Sequence, residues 1–218
     1  MPAAEQTRRA GRPQGNPETG ERCLDAAEAL FATGGFAGTG MRDIARRADV
    51  TIATLAYHFG SKEKLYGRVL ARVAGSIEPY LPATTPTPGS PAAVAAIVER
   101  FLDWALDHRD YNALLLRELM ENPERARRAR RWYLLPLIEA YAAAIRDGQR
   151  RGTVGPCDPE MTAFHATGAI THFVASTATI GRMLGHDDEA ETVDRFRRTL
   201  QANLLAMLTP AAAAAAEA

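Results

Sequence analysis

Cysteine is almost missing from this 218-residue chain, which holds only Cys23 and Cys157. Two thiols so far apart make no paired metal site, and both read as small apolar core side chains, with a disulfide or redox switch as the alternative. A surplus of either charge is missing too, since 26 basic residues face 26 acidic ones. That balance excludes a broadly basic protein that coats nucleic acid without choosing a sequence. Apolar runs stay too short to span a bilayer. Residues 1–16 are polar and carry Arg8, Arg9 and Arg12 in place of the apolar core of a signal peptide. The expectation is a soluble, cytoplasmic chain. Also lacking are a glycine-rich phosphate loop, a Cys-x-x-Cys pair and a serine in a nucleophile elbow, so no enzyme and no cofactor is expected. Strand-like alternation and internal repeats are absent as well.

What remains is one helix after another, and the fold class is all-α. Four helix starts share one device, a polar residue followed by proline: Asn16-Pro17, Ser90-Pro91, Asn122-Pro123 and Asp158-Pro159. Proline fits the first helical position because the N–H it lacks has no partner there anyway, while the polar side chain accepts from an amide further in. Nine helices are predicted, over 17–33, 41–48, 52–58, 62–80, 91–107, 111–121, 123–151, 159–184 and 188–208. Pro136 falls inside the seventh and predicts a kink or an interruption. Residues 82–89 and 152–156 read as loops. Residues 1–16 read as a disordered basic arm, with contact to a minor groove as the alternative. Residues 211–218 read as a frayed tail.

The segment 38–66 carries the densest signal. Met41 to Ala48 is amphipathic, with Ile44, Ala45 and Ala48 on one side. Asp49 and Val50 turn the chain, and Thr51 has the hydroxyl to cap a short helix that Gly60 ends. Ser61 then caps the next helix. Two short helices joined by such a turn form a helix-turn-helix, the unit that lays its second helix in the major groove of DNA. Charge supports this locally. Residues 1–72 hold eleven Lys plus Arg against eight Asp plus Glu, whereas the rest hold fifteen against eighteen. The surplus suits a few placed phosphate contacts.

Over about residues 17–76 the chain resembles the DNA-binding domain of the TetR family of bacterial transcriptional regulators. The resemblance rests on Met41-Arg42-Asp43-Ile44-Ala45, the turn Asp49-Val50, Tyr57-His58-Phe59 and Ser61-Lys62-Glu63, with Phe31 and Gly34-Gly35-Phe36 upstream. Asp49 stands where that family usually has glycine, Ala53 where glycine is frequent, and Ala56 where many relatives carry an aromatic. The resemblance implies a nine-helix architecture: a DNA-binding domain at 17–76, with the helix-turn-helix at about 40–59, and a ligand-binding and dimerisation domain at 77–210. It implies a sequence-specific DNA-binding regulator, a ligand-released repressor that acts as a homodimer on a palindromic operator. A ligand-independent or partner-controlled DNA-binding regulator is the alternative, and a metal-dependent enzyme on the helical domain is a remote one.

The residues expected at DNA are Arg42, Thr51, Ile52, Ala53, Thr54, Tyr57, His58 and Lys62. A threonine offers a hydroxyl to a phosphate or base and a methyl to a thymine. Tyr57 suits a sugar-phosphate wall, Lys62 a phosphate, and Arg42 a guanine edge or the backbone. His58 reads either as a phosphate donor or as a helix-end hydrogen bond. Phe59 and Leu55 read as core.

For the second domain, the expected pocket wall is Phe101, Trp104, Leu137, Tyr141, Phe164, His165, Gly168 and His172, facing a small apolar or amphipathic effector. Helix eight is rich in small residues that allow close approach. By resemblance, it and helix nine form the dimer interface, through Ala175, Phe196, Leu200 and Leu204. His165 and His172, seven apart, together with His186, Asp187, Asp188 and Glu189, suggest a metal site. The plainer reading is polar residues in a pocket or an interface, and no metal is assigned.

Overall fold

The computed structural model describes residues 17–80, 88–121, 134–186 and 188–210. Among these residues the chain is helical with no strand, and it divides into two compact units, Met1–Gly67 and Arg68–Ala218. None of the described helices is long and apolar enough to cross a membrane.

In the first unit α1 runs Pro17–Gly38, five residues past its predicted end. Gly35 breaks it at φ 67°, a left-handed value open to glycine, after which one helical turn resumes. Helix α2 is Met41–Arg47, and α3 is Ile52–Phe59. Helix α4 is Lys62–Ile77, followed by a single 3-10 turn over Glu78–Tyr80 where continued helix was predicted. Cys23, Leu24, Ala27, Phe31, Ile44, Ala45, Leu55, Leu65 and Tyr66 are buried. Tyr66 meets Phe31 edge-on at 4.8 Å and Phe36 at 5.1 Å. Buried Thr39 ties the entry of α2 to α1 by donating to the Leu30 carbonyl at 3.0 Å.

The second unit begins within α4, nine residues earlier than the predicted boundary at 76/77. The reason lies in side chains: Val69, Leu70, Val73 and Ile77 are buried, and Trp104 Nε1 donates to Ser76 Oγ at 2.9 Å. The unit continues with α5 (Pro91–Asp107), α6 (Arg109–Glu121), α7 (Leu135–Arg151), α8 (Pro159–Met183) and α9 (Glu189–Leu208). The caps work as read. Ser90 Oγ accepts from the Ala93 amide at 3.1 Å, and Asp158 Oδ1 accepts from the Met161 amide at 2.9 Å. Asn16 and Asn122 lie outside the described residues.

Pro136 lies at a helix start, and the described helix shows no kink at it. It stands in the first turn of α7, the position a proline tolerates best, and the predicted stretch 123–133 lies outside the described residues. Helix α8 is the hub, packing against α5, α6, α7 and α9. Around it are buried Phe101, Trp104, Leu137, Tyr141, Ile145, Ile170 and Val174. An aromatic column runs along α5 into α6, with Phe101, Trp104, His108 and Tyr111 stacked at successive centroid distances of 5.3, 5.8 and 5.5 Å. Gly148 lets α7 touch its neighbours, because a Cβ there would collide with Val154 and the Gly89 carbonyl.

Candidate nucleic-acid interface

The helix-turn-helix is assembled by local chemistry. Ile44 and Ala45 bury one face of α2, and the Val50 amide donates to the Ala45 carbonyl at 3.0 Å across the turn. Asp49 takes φ 53°, the one non-glycine at positive φ among the described residues, and so does the work of the usual glycine. Thr51 caps α3, its Oγ1 accepting from the Thr54 amide at 3.1 Å. Gly60, at φ 77°, ends the helix. Leu55 is fully buried and pins α3 to the core.

With Leu55 inward, helical geometry fixes the outward face. Ile52 (48% exposed), Ala53, Ala56 and Tyr57 (49% exposed) lie three and four residues apart and face solvent together. Thr51 stands exposed at their end, while Thr54 is half-buried with its hydroxyl 2.9 Å from that of Thr51. Ala56, a departure from the family pattern, joins this face as well. Its spacing four after Ile52 and three after Ala53 is the signal that places it on this face.

His58 turns aside. It is half-buried beside Gly20 of α1, where a Cβ would stand 3.6 Å from its Nδ1. Lys62 is half-buried, with Nζ 4.4 Å from the centre of the Phe36 ring. Arg42 is exposed on α2, whereas Arg46 is engaged by Asp43 at 2.5 Å. The structure thus groups Thr51, Ile52, Ala53 and Tyr57, sets Arg42 and Lys62 on adjoining helices, and holds His58 and half of Thr54 inward.

The residues expected to line a pocket separate into two sets. Phe101, Trp104, Leu137 and Tyr141 are buried in the core of the second unit. Phe164 (57% exposed), His165 and His172 face solvent and Gly168 is half-exposed, so they do not join that wall. The cause is the orientation of α8, which buries Ala163, Ala166, Ile170, Phe173 and Val174 and so turns the other side out.

Among the described residues of this unit, two buried polar atoms have no hydrogen-bond partner, the Tyr141 hydroxyl and Asn112 Oδ1. Burial pushes the Tyr141 phenol well above its ordinary pKa and keeps it protonated. Asn112 Nδ2 donates to the Thr171 carbonyl at 3.0 Å. A separate open cleft of about 620 Å³ is lined by Pro79, Tyr80, Arg100, Asp103, Leu106, Asp107 and Arg197, none of which sequence reasoning named. Tyr80 donates to Asp107 at 2.9 Å, and that bond holds its phenol above the usual range.

Of the expected interface residues, Ala175 is exposed and Leu200 half-buried. Leu204 is 4% exposed and belongs to its own chain's core, and Phe196 stacks on Phe173 of the same chain at 3.8 Å. Of the residues considered for a metal, Asp187 lies outside the described ones. Among the described residues no three His, Cys, Asp or Glu side chains gather to hold an ion.

Comparison with known proteins bears on both units. The family model described as bacterial regulatory proteins, tetR family, matches residues 24–69, and that of the tetracyclin repressor-like C-terminal domain matches residues 91–213. An HTH-type transcriptional repressor of Streptomyces coelicolor is 28% identical over 186 residues, covering 81% of this chain and 89% of the relative. One from Mycobacterium tuberculosis is 37% identical over 91 residues, and this chain spans only 44% of its length. The solved structure of Salmonella enterica GusR superposes with a TM-score of 0.62 at 25% identity, covering 88% of this chain and 95% of that one. With one family model matching the helix-turn-helix and another matching more than half of the chain beyond it, this protein belongs to the tetR family of bacterial regulatory proteins.

Proposed function

We propose that this protein is a sequence-specific DNA-binding transcriptional repressor, acting in the cytoplasm as a homodimer on a palindromic operator and released by a small effector. The observation that carries the DNA reading is the exposed face of α3, with Leu55 fully buried beneath it. Lys62 and the Thr51 hydroxyl supply phosphate contacts around that face, Arg42 reaches a guanine edge or the backbone, and Tyr57 stands at its edge. One short helix reads too few bases for tight binding, so a two-fold pair of them on two half-sites is the economical arrangement.

The exposed apolar stripe on α8, with Met161, Phe164, Gly168, His172 and Ala175 at helical spacing, supports pairing with a second copy, joined by Leu200 and Leu205 of α9. The effector site is the core around Phe101, Trp104, Leu137 and Tyr141, whose Tyr141 hydroxyl has no hydrogen-bond partner among the described residues and would meet a polar group of the ligand. A ligand releases DNA only if it binds the non-DNA conformation more tightly. The competing reading, a regulator without an effector, draws on the complete burial of those same aromatics, which suits a packed core.

The test is binding of purified protein to the DNA upstream of its own gene at two salt concentrations, with a scrambled duplex as competitor. Binding that resists the competitor and weakens with salt supports a specific reader. Binding equal to that of the scrambled duplex at this site and at sites selected from random DNA would sink it. Light scattering on the free protein tests the dimer.

A further inference from the structure

The sequence of α3, Ile-Ala-Thr-Leu-Ala-Tyr-His-Phe, contains no Arg, Lys, Asn, Gln, Asp or Glu. Those are the side chains that make paired hydrogen bonds to base edges in the major groove. The one imidazole, His58, is half-buried against α1. The two threonines are engaged with each other, since Thr51 Oγ1 takes the Thr54 amide and one of the two hydroxyl protons lies in the bond between them. What α3 offers outward is hydrocarbon: the Ile52 side chain, the methyls of Ala53 and Ala56, and the ring of Tyr57. In the major groove only one base displays a hydrocarbon group, the C5-methyl of thymine.

Resting on the DNA reading above, we propose that α3 recognises its operator chiefly through thymine methyl groups, which Ile52, Ala53 and Ala56 desolvate with Tyr57 at their border. Arg42, exposed near the start of the neighbouring helix α2, is then assigned the reading of any guanine. The half-site is accordingly built on thymines at the centre of the α3 footprint, with any guanine displaced toward α2. Methyl contact is selective in this setting because replacing T·A by C·G loses the methyl and sets an amino group against an apolar wall that cannot accept its hydrogen.

The experiment starts from a duplex that the full-length protein itself selects from random DNA. Each thymine of one half-site is replaced in turn by deoxyuridine, which removes the methyl and leaves the hydrogen-bonding edge unchanged. The expected result is a loss of roughly fourfold per buried methyl at two or more positions. Where such a thymine is changed to cytosine, 5-methylcytosine should recover part of the lost affinity. In the Ile52→Ala variant, an exposed change that leaves the fold intact, the deoxyuridine penalty should shrink at one position and persist at the others. In Arg42→Ala the penalties should stay while any guanine preference disappears. Deoxyuridine without effect at every position, with a full effect of 7-deazaguanine, would overturn methyl reading while leaving the protein a specific DNA binder. Failure to enrich any duplex would overturn both methyl reading and the function it rests on.

Discussion

Thr51 and Thr54 close the start of α3 with two bonds, amide to hydroxyl at 3.1 Å and hydroxyl to hydroxyl at 2.9 Å. The first satisfies one of the amides that every helix leaves open at its N-terminus. Thr51→Ala should therefore destabilise the protein by about 1 kcal/mol. Thr51→Ser, which keeps the oxygen, should cost much less. Urea unfolding of the pair separates a lost cap from a lost methyl.

Trp104 and Ser76 make the analogous case inside the second unit. The Ser76 hydroxyl accepts from the Trp104 indole at 2.9 Å and donates to the Val73 carbonyl at 2.7 Å. Ser76→Ala leaves a buried N–H with no acceptor and should cost about 1–3 kcal/mol. In a Trp104→Phe background the same change should be nearly neutral. A double-mutant cycle followed by urea unfolding measures the difference.

Tyr141→Phe removes a hydroxyl that has no partner among the described residues. Its expected effect is neutral or stabilising, up to about 1 kcal/mol. If the hydroxyl holds the effector, the same variant should need more effector to leave DNA, although it is at least as stable. A clear loss of stability would show that the hydroxyl is already satisfied, by water for instance.

Phe164 and Leu204 lie on helices assigned to the same interface, yet they should behave oppositely. Phe164→Glu alters an exposed position and should leave the unfolding transition within about 0.5 kcal/mol. It should shift the molar mass in light scattering toward the monomer and weaken operator binding. Leu204→Ala opens a cavity inside the chain and should cost about 2–5 kcal/mol.

The sequence was most legible where a residue acts on its nearest neighbours. Thr51, Ser90 and Asp158 cap the helices they precede because a cap needs only an oxygen and an amide three residues on. Asp49 could be read as a left-handed turn residue for the same reason. Orientation over distance was less legible. Helix α8 carries small or apolar residues on every side, so its composition alone does not say that Ala163 and Ile170 go in while Phe164 and Gly168 face out. Helix α9 spaces Phe196, Leu200, Leu204 and Leu208 as one stripe, but the second unit draws Leu204 and Leu208 inward and leaves Leu200 half-covered. Pro136 sat in a pattern that could continue on both sides, and only the observed start at Leu135 shows it as a first-turn residue. At the candidate interface the motif placed every element, while the inward turn of His58 depends on its packing against Gly20.

The aromatic column along α5 has an optical consequence. The chain has two tryptophans, Trp104 and Trp132. Trp104 lies between Phe101 and His108 with its indole nitrogen bonded to Ser76. In a Trp132→Phe variant, ultraviolet emission would come from this one indole, whose colour and brightness depend on how dry its cage is and on its contact with the neighbouring imidazole. The regulator thus contains its own fluorophore at the junction of α4 and α5, and a spectrometer could follow that junction in real time with no dye attached.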